Sequence, residues 1–168
     1  MLSYDMEKPM SEAEFFEICE SALTEKTFLT VQSARLVPLE EKSSIKIIEK
    51  WNSWERGLRN ELVKMRASKK ALDVEKYIAD GDVDIGVFEI AREAFLAATP
   101  LEAESILNKA RWDYLEELET LHYFDLSKII ISYLKIQVLQ RKLQIDKEKG
   151  KTAFTEIYAS VHDKNSVH

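Results

Sequence analysis

The sequence predicts an all-α chain, about seven helices in an irregular bundle, and three observations predict it. Gly and Pro number only 4 and 3 in 168 residues, which leaves few places for hairpin turns. Apolar residues recur at three- and four-residue spacings, the period of a helix face, and no stretch alternates as a half-buried strand does. Helix-start signals precede several of these stretches, with Ser11 before Glu14, and Thr99 before Pro100 and Glu102. With 45% hydrophobic and 32% charged residues, the composition is that of a globular protein. A chain of this length buries roughly 70% of the surface it exposes when unfolded, enough for a core without staples.

Residues 1–10 read as a poorly ordered lead, 11–162 as a single helical domain with lobes of about 11–72 and 73–162, and 163–168 as a tail. Ser11 and Glu14 form a capping box, and Phe15, Ile18, Cys19 and Ala22 then give segment 12–23 an apolar face. Thr24 caps a second short helix carrying Phe28, Leu29 and Val31, and Pro38 closes this unit. The third helix, about 44–71, is the longest, with Ile45, Ile48, Trp51, Leu58, Leu62 and Met65 on its stripe. Asp73 is a cap for a short segment at 74–79, and Asp84 for a helix with Ile85, Phe88, Ala91, Ala94, Phe95 and Ala98 on one side. Pro100 occupies a first helical position, where its missing N–H is harmless, and that helix runs to about Leu121. Asp125 caps segment 126–146, apolar on every side, which places it at the centre of a bundle or against a partner. Gly150 separates off a last short helix with Phe154, Ile157, Tyr158 and Val161.

Net charge is −6 with acidic residues spread along the chain, which weighs against nucleic acid as the main partner. The single cysteine, Cys19, has no internal disulfide partner and reads as a small buried apolar group. No apolar run reaches the ~18 residues of a membrane span, and no basic-then-apolar leader opens the chain. These features predict a cytoplasmic protein.

Residue patterns that carry chemistry are incomplete. A di-iron bundle needs two Glu-x-x-His units. Glu119-Thr-Leu-His122 supplies one, while His162 and His168 follow Ala159 and Asn165 at that spacing. No Gly-x-Ser-x-Gly elbow presents a serine, and Gly81 and Gly86 lie among acidic residues that repel phosphate. No cofactor or metal is therefore expected. Charged groups on or beside apolar faces remain, namely Glu55, Arg59, Glu104, Arg111 and Arg141. They suit buried pairing that fixes helix register, or alternatively a helical lyase or mutase that works with an Arg/Glu cluster. Arg59 follows Glu55 by four residues, the spacing of a structural ion pair across one helical turn. Trp51 belongs to the core. Trp54, off the stripe, and Trp112, beside Arg111, are candidates for a contact surface because Trp and Arg are enriched in binding hot spots.

Two blocks carry a resemblance. The first is Trp51…Trp54-Glu55…Leu58-Arg59-Asn60-Glu61-Leu62. The second runs from Pro100-Leu101-Glu102-Ala103-Glu104 through Ala110-Arg111-Trp112 and Phe124-Asp125-Leu126 to Tyr133-Leu134-Lys135-Ile136-Gln137 and Arg141. Together, over about residues 45–158, they resemble an uncharacterised bacterial helical family. Its genes lie among those of V-type (A/V-type) ATP synthases in spirochaetes, chlamydiae and Bacteroides relatives. Tyr133, Leu134 and Lys135 are also similar to the Tyr-Leu-x-Lys pattern in the repeat unit of the C/d subunit of V-type ATPases, an all-helical socket between central stalk and rotor ring, although here Lys135 follows Leu134 directly. The Glu and Asn usual after that motif are replaced here by Gln137 and by Gln140 or Arg141. The block around Glu55 and Arg59 looks like the same helix end, which implies two degenerate helical repeats. The C/d subunit is about twice as long as this chain, so the resemblance implies a reduced form.

The resemblance implies a non-catalytic component or accessory of a V-type ATPase, peripheral to the inner face of the membrane through stalk and rotor-ring subunits. Trp54, Arg59, Trp112, Tyr133, Lys135 and Arg141 are the expected partner contacts. The competing readings are a generic helical adaptor or homodimer unrelated to ATPases, and the lyase or mutase. In either docking case an exposed apolar patch is expected on the 126–146 helix.

Overall fold

The computed structural model describes residues 2–39, 41–70, 85–120 and 122–165. Among the described residues every regular element is helical: α1 (Glu12–Ala22), α2 (Glu25–Gln32), α3 (Lys46–Lys70), α4 (Ile85–Leu96), α5 (Pro100–Glu119) and α6 (Leu126–Asn165). The chain is all-α, as the spacing predicts. The expected segment at 74–79, with its cap Asp73, lies outside the described residues, as does Asp84.

The helix starts follow from their caps. At α1 the Ser11 hydroxyl accepts from the Glu14 amide (3.2 Å) and the Glu14 carboxylate accepts from the Ser11 amide (2.8 Å). Thr24 and Thr99 accept from the third residue of α2 and α5 (3.4 and 3.1 Å). Glu102 reaches one residue further back than a capping box requires, accepting from the Ala98 amide (3.0 Å). Asp125 accepts from the Lys128 amide (2.9 Å) at the start of α6.

One apolar cluster joins all six helices' neighbourhoods, from Val31 and Trp51 through Ala91 and Leu115 to Leu134 and Leu139. α5 lies along α6, α4 bridges α3 and α5, and the α1–α2 pair packs on the other flank of α6. Residues 130–139 of α6 are almost all buried, so its all-round apolarity reflects a central position in this chain's own bundle. The exposed patch expected on 126–146 is therefore absent among the described residues, Leu143 being its one large hydrophobic that is even 39% exposed.

α3 is the second helix enclosed on most sides, which its mixed composition hides. Asn52, Glu55, Asn60 and Glu61 are buried along with Trp51, Trp54 and Leu58. α4 turns Val87, Ala91 and Ala94 inward and leaves Phe88 exposed. The expected stripe holds at Ala91 and Ala94 and differs at Phe88, whose inward place is taken by Val87, because the two fit the helical period equally well.

Three further expectations change. Gly150 does not end a helix. α6 runs through it for 40 residues, past the expected domain end at 162 to Asn165. A lone glycine costs a helix about 1 kcal/mol, which flanking Lys and Glu residues tolerate when no cap or proline offers an alternative. Residues 146–155 of this helix are exposed, so it continues beyond the body of the bundle. Finally, the 1–10 lead is non-helical, yet Leu2 and Tyr4 pack against the core. The Tyr4 ring lies 5.5 Å from that of Trp112, with the Lys109 and Lys142 ammonium groups 5.7 and 5.1 Å from its centroid.

Candidate functional site

Three arrangements hold the residues that the sequence singles out: a buried ionic cluster between α3 and α5, an anchoring stretch of α6, and a groove between α4 and α5.

The ionic cluster is centred on Glu55, which is fully buried on α3. Arg111 of α5 grips it in a fork, Nε to Oε2 at 2.9 Å and Nη2 to Oε1 at 2.8 Å. Arg59, one turn further along α3, donates from Nε to Oε1 at 2.8 Å, which is the predicted structural ion pair. Burial opposes the charge on Arg111, but the Glu55 hydrogen bonds and the nearby Glu55 and Glu104 charges more than reverse this and raise its pKa. Glu104 itself pairs with Arg141 of α6 at 2.5 Å. The five charged residues of the sequence-predicted cluster thus close as two sets, Glu55 with Arg59 and Arg111, and Glu104 with Arg141. A single Arg111 Nη1 is left buried without a partner.

The anchoring stretch is Tyr133 to Gln137. Tyr133 and Gln137 are four residues apart and so share one face of α6, while Lys135 points to the opposite side. The Tyr133 hydroxyl donates to Glu12 of α1, and its ring stacks on Phe15 (5.7 Å, 8°). Burial and the Glu12 carboxylate both push the Tyr133 phenol well above its ordinary pKa. Gln137 holds the chain just after α2 from both sides, accepting from the Leu36 amide and donating to the Ala34 carbonyl (3.2 Å each). Trp51 Nε1 donates to the intervening Arg35 carbonyl at 2.9 Å. On the opposite face Lys135 donates to Glu119 at 2.6 Å and lies 4.7 Å from the Trp112 ring. Lys128 donates to the other oxygen of Glu119 (2.5 Å). Burial alone would raise the Glu119 pKa, but the two lysines more than offset this and hold the carboxyl below its usual range. Deeper in the interface, Asn108 donates to the Val138 carbonyl at 3.0 Å.

These positions revise the expected partner contacts. Trp54, Trp112, Tyr133 and Lys135 are 7%, 2%, 6% and 2% exposed, so they contact this chain's own helices rather than a partner. The physical reason is the enclosure of α3 and α6 on most sides and, for Trp112, its place on the side of α5 that packs against Lys135 of α6. The Arg59 and Arg141 side chains, 43% and 40% exposed, are the two that reach the surface. The one Glu-x-x-His unit is dispersed. Glu119 is held by the two lysines, and His122 pairs with Asp125 at 2.5 Å. Among the described residues no three His, Cys, Asp or Glu gather as metal ligands. Sequence reasoning missed Gln137, Asn108 and Tyr4. A polar residue inside the apolar run of α6 was the one available signal for Gln137, and nothing marked the other two.

The groove encloses about 770 Å³ between α4 and α5. Ile90, Ile106 and Ala110 supply its apolar lining, with Tyr114 stacked on Trp54 (4.5 Å, 6°) at its base. Glu93, Asp113 and Glu117 stand along it, with Lys109, which is engaged by Asp113.

Residues 87–164 match the model of a family described as Protein of unknown function (DUF2764), a similarity that runs from the third residue of α4 through α5 to one residue short of the end of α6. Comparison with curated proteins and with solved structures gives no match. No described helix is long and apolar enough to cross a membrane.

Proposed function

We propose that the chain is a non-catalytic docking body, acting as a component or accessory of a V-type (A/V-type) ATPase, at the central stalk and rotor ring. The observation that carries the non-catalytic part is the closure of the Glu55, Arg59 and Arg111 tips on one another. A catalytic cluster needs a substrate-sized space within hydrogen-bond reach of its acid and base. Here the carboxylate already accepts three charge-assisted hydrogen bonds from protein. The ATPase part is supported by the resemblance of the two blocks over about residues 45–158. A bundle braced by ionic and amide clamps between helices deforms little under load, which suits a body that transmits torque or holds register.

The test is purification of the intact ATPase from a cell that expresses the chain with an affinity tag. Recovery with the stalk subunits supports the reading. A complex that contains a conventional C/d subunit and none of this chain overturns it.

The second reading, a generic helical adaptor or homodimer, draws on the exposed apolar residues of the α1–α2 end, Ile18, Leu29, Val37 and Leu39. Analytical ultracentrifugation separates the two, since a tight symmetric dimer of the isolated chain favours this second reading.

A further inference from the structure

We infer that the α4–α5 groove receives a basic amphipathic helix of a partner protein. This deepens the docking reading and rests on it, but not on the ATPase assignment.

Shape is the first support. Along α5 the groove extends from Ile106 to Glu117, about 17 Å at the helical rise per residue, the length of roughly three turns of a docked helix. Its lining is apolar at Ile90, Ile106 and Ala110, the surface that a row of i, i+3, i+4 side chains fills. Charge is the second. Glu93 stands on α4 and Glu117 on α5, both exposed and neither with a partner among the described residues. The remaining acid, Asp113, is opposed by Lys109, so the groove presents two uncompensated carboxylates and no free cation among its described residues. Lys or Arg flanking an apolar helix face complements that pattern, and an acidic helix is repelled by it.

The same charges argue against occupants from this chain. Segment 71–84 carries five acids (Asp73, Glu75, Asp80, Asp82 and Asp84) and one base, Lys76. A second copy brings a net charge of −6.

The experiment uses the full chain and two synthetic peptides of about 14 residues, each with a Leu face, one flanked by Lys and Arg and the other by Glu. Binding is followed by peptide fluorescence anisotropy and by the emission of Trp54, with Trp54→Phe as the control for that signal. The basic peptide is expected to bind at least about tenfold more tightly than the acidic one. The surface double variant Glu93→Lys/Glu117→Lys should weaken it by about tenfold. Ala110→Trp, which fills the groove without changing charge, should abolish both signals while the circular dichroism spectrum is retained. Equal binding of both peptides, or undiminished binding by the double variant or by Ala110→Trp, overturns the proposal. Binding that emerges only after 71–84 is replaced by a Gly/Ser linker also overturns it, since that segment would then be the occupant. Because the peptides report on the isolated chain, failure to recover the chain with an ATPase leaves this result standing, and the two readings fail separately.

Discussion

Removing the Glu55 charge should be among the most damaging single changes in the described core. In Glu55→Gln the shape survives, but Arg111, only 5% exposed, keeps its charge and loses its counter-charge. Breaking a buried pair in this way costs about 3–5 kcal/mol, because the remaining ion stays desolvated. That is a large part of the 5–15 kcal/mol that typically holds a domain folded. Arg59→Ala removes a half-exposed arm of the same cluster and should cost no more than about 1 kcal/mol. The informative variant is Glu55→Leu/Arg111→Met, which removes both charges at similar volume. Replacements of that kind are often neutral, so the double change should cost less than Glu55→Gln alone, about 0–2 kcal/mol. Urea unfolding followed by tryptophan fluorescence measures these three together with the single changes Glu55→Leu and Arg111→Met. A Glu55→Gln cost below about 1 kcal/mol, or a double-variant cost equal to the sum of its two single changes, would refute the description of Glu55 and Arg111 as mutually dependent.

Lys135→Met should cost about 1–3 kcal/mol, since it leaves a largely buried Glu119 with Lys128 alone. It should also flatten the acid limb of stability. The folded Glu119 pKa lies below its unfolded value, so its contribution is fully present above about pH 5 and is lost as pH falls through the folded value. Urea midpoints measured from about pH 7 down to pH 3 should fall less steeply in Lys135→Met than in the parent chain. Gln137→Ala removes both bonds to the chain after α2. It should cost about 1–2 kcal/mol and speed hydrogen exchange at the Leu36 amide about tenfold, and unchanged exchange there would contradict the clamp. Gly150→Ala should stabilise the outer part of α6 by about 0.5–1 kcal/mol, because a Cβ at that position meets nothing within 4 Å. Exchange of amides near residue 150 should slow several-fold with the global unfolding midpoint unchanged.

Helix starts were legible because capping is local chemistry. Ser11, Thr24, Thr99 and Asp125 each hold an amide three residues on, and each was readable from its own neighbourhood. Helix ends were less so. Gly150 resembles a terminator, but a terminator needs the chain to turn, and nothing local forces α6 to do so. The Glu55–Arg59 pair was readable because both partners lie on one helix. The stronger Glu55–Arg111 fork joins residues 56 positions apart, and only tertiary packing pairs them. Both residues were flagged as charges on apolar faces, which identified the players without the pairing. Exposure was the least legible property. Trp54 and Trp112 border Glu55 and Arg111, which suggested a surface, yet both of those charges are themselves buried. When a helix is enclosed on most sides, adjacency to a charge no longer indicates water.

That inversion bears on where a partner binds. Lys135, Tyr133 and Gln137 connect α6 to α5, to α1 and to the chain after α2, so an outside protein cannot use them without dismantling the bundle. A partner surface must then be assembled from residues with no internal duty. Among those that border an apolar recess, Glu93 and Glu117 meet this condition, being exposed and without a partner among the described residues. Arg59 and Arg141 meet it only in part, since each already neutralises a carboxylate of this chain. A partner that engaged either arginine would have to compete with Glu55 or Glu104, whereas one that engaged Glu93 and Glu117 would gain two ion pairs and break none. On that difference the acidic groove is the favoured interface, and the arginines that the sequence brings forward are framework.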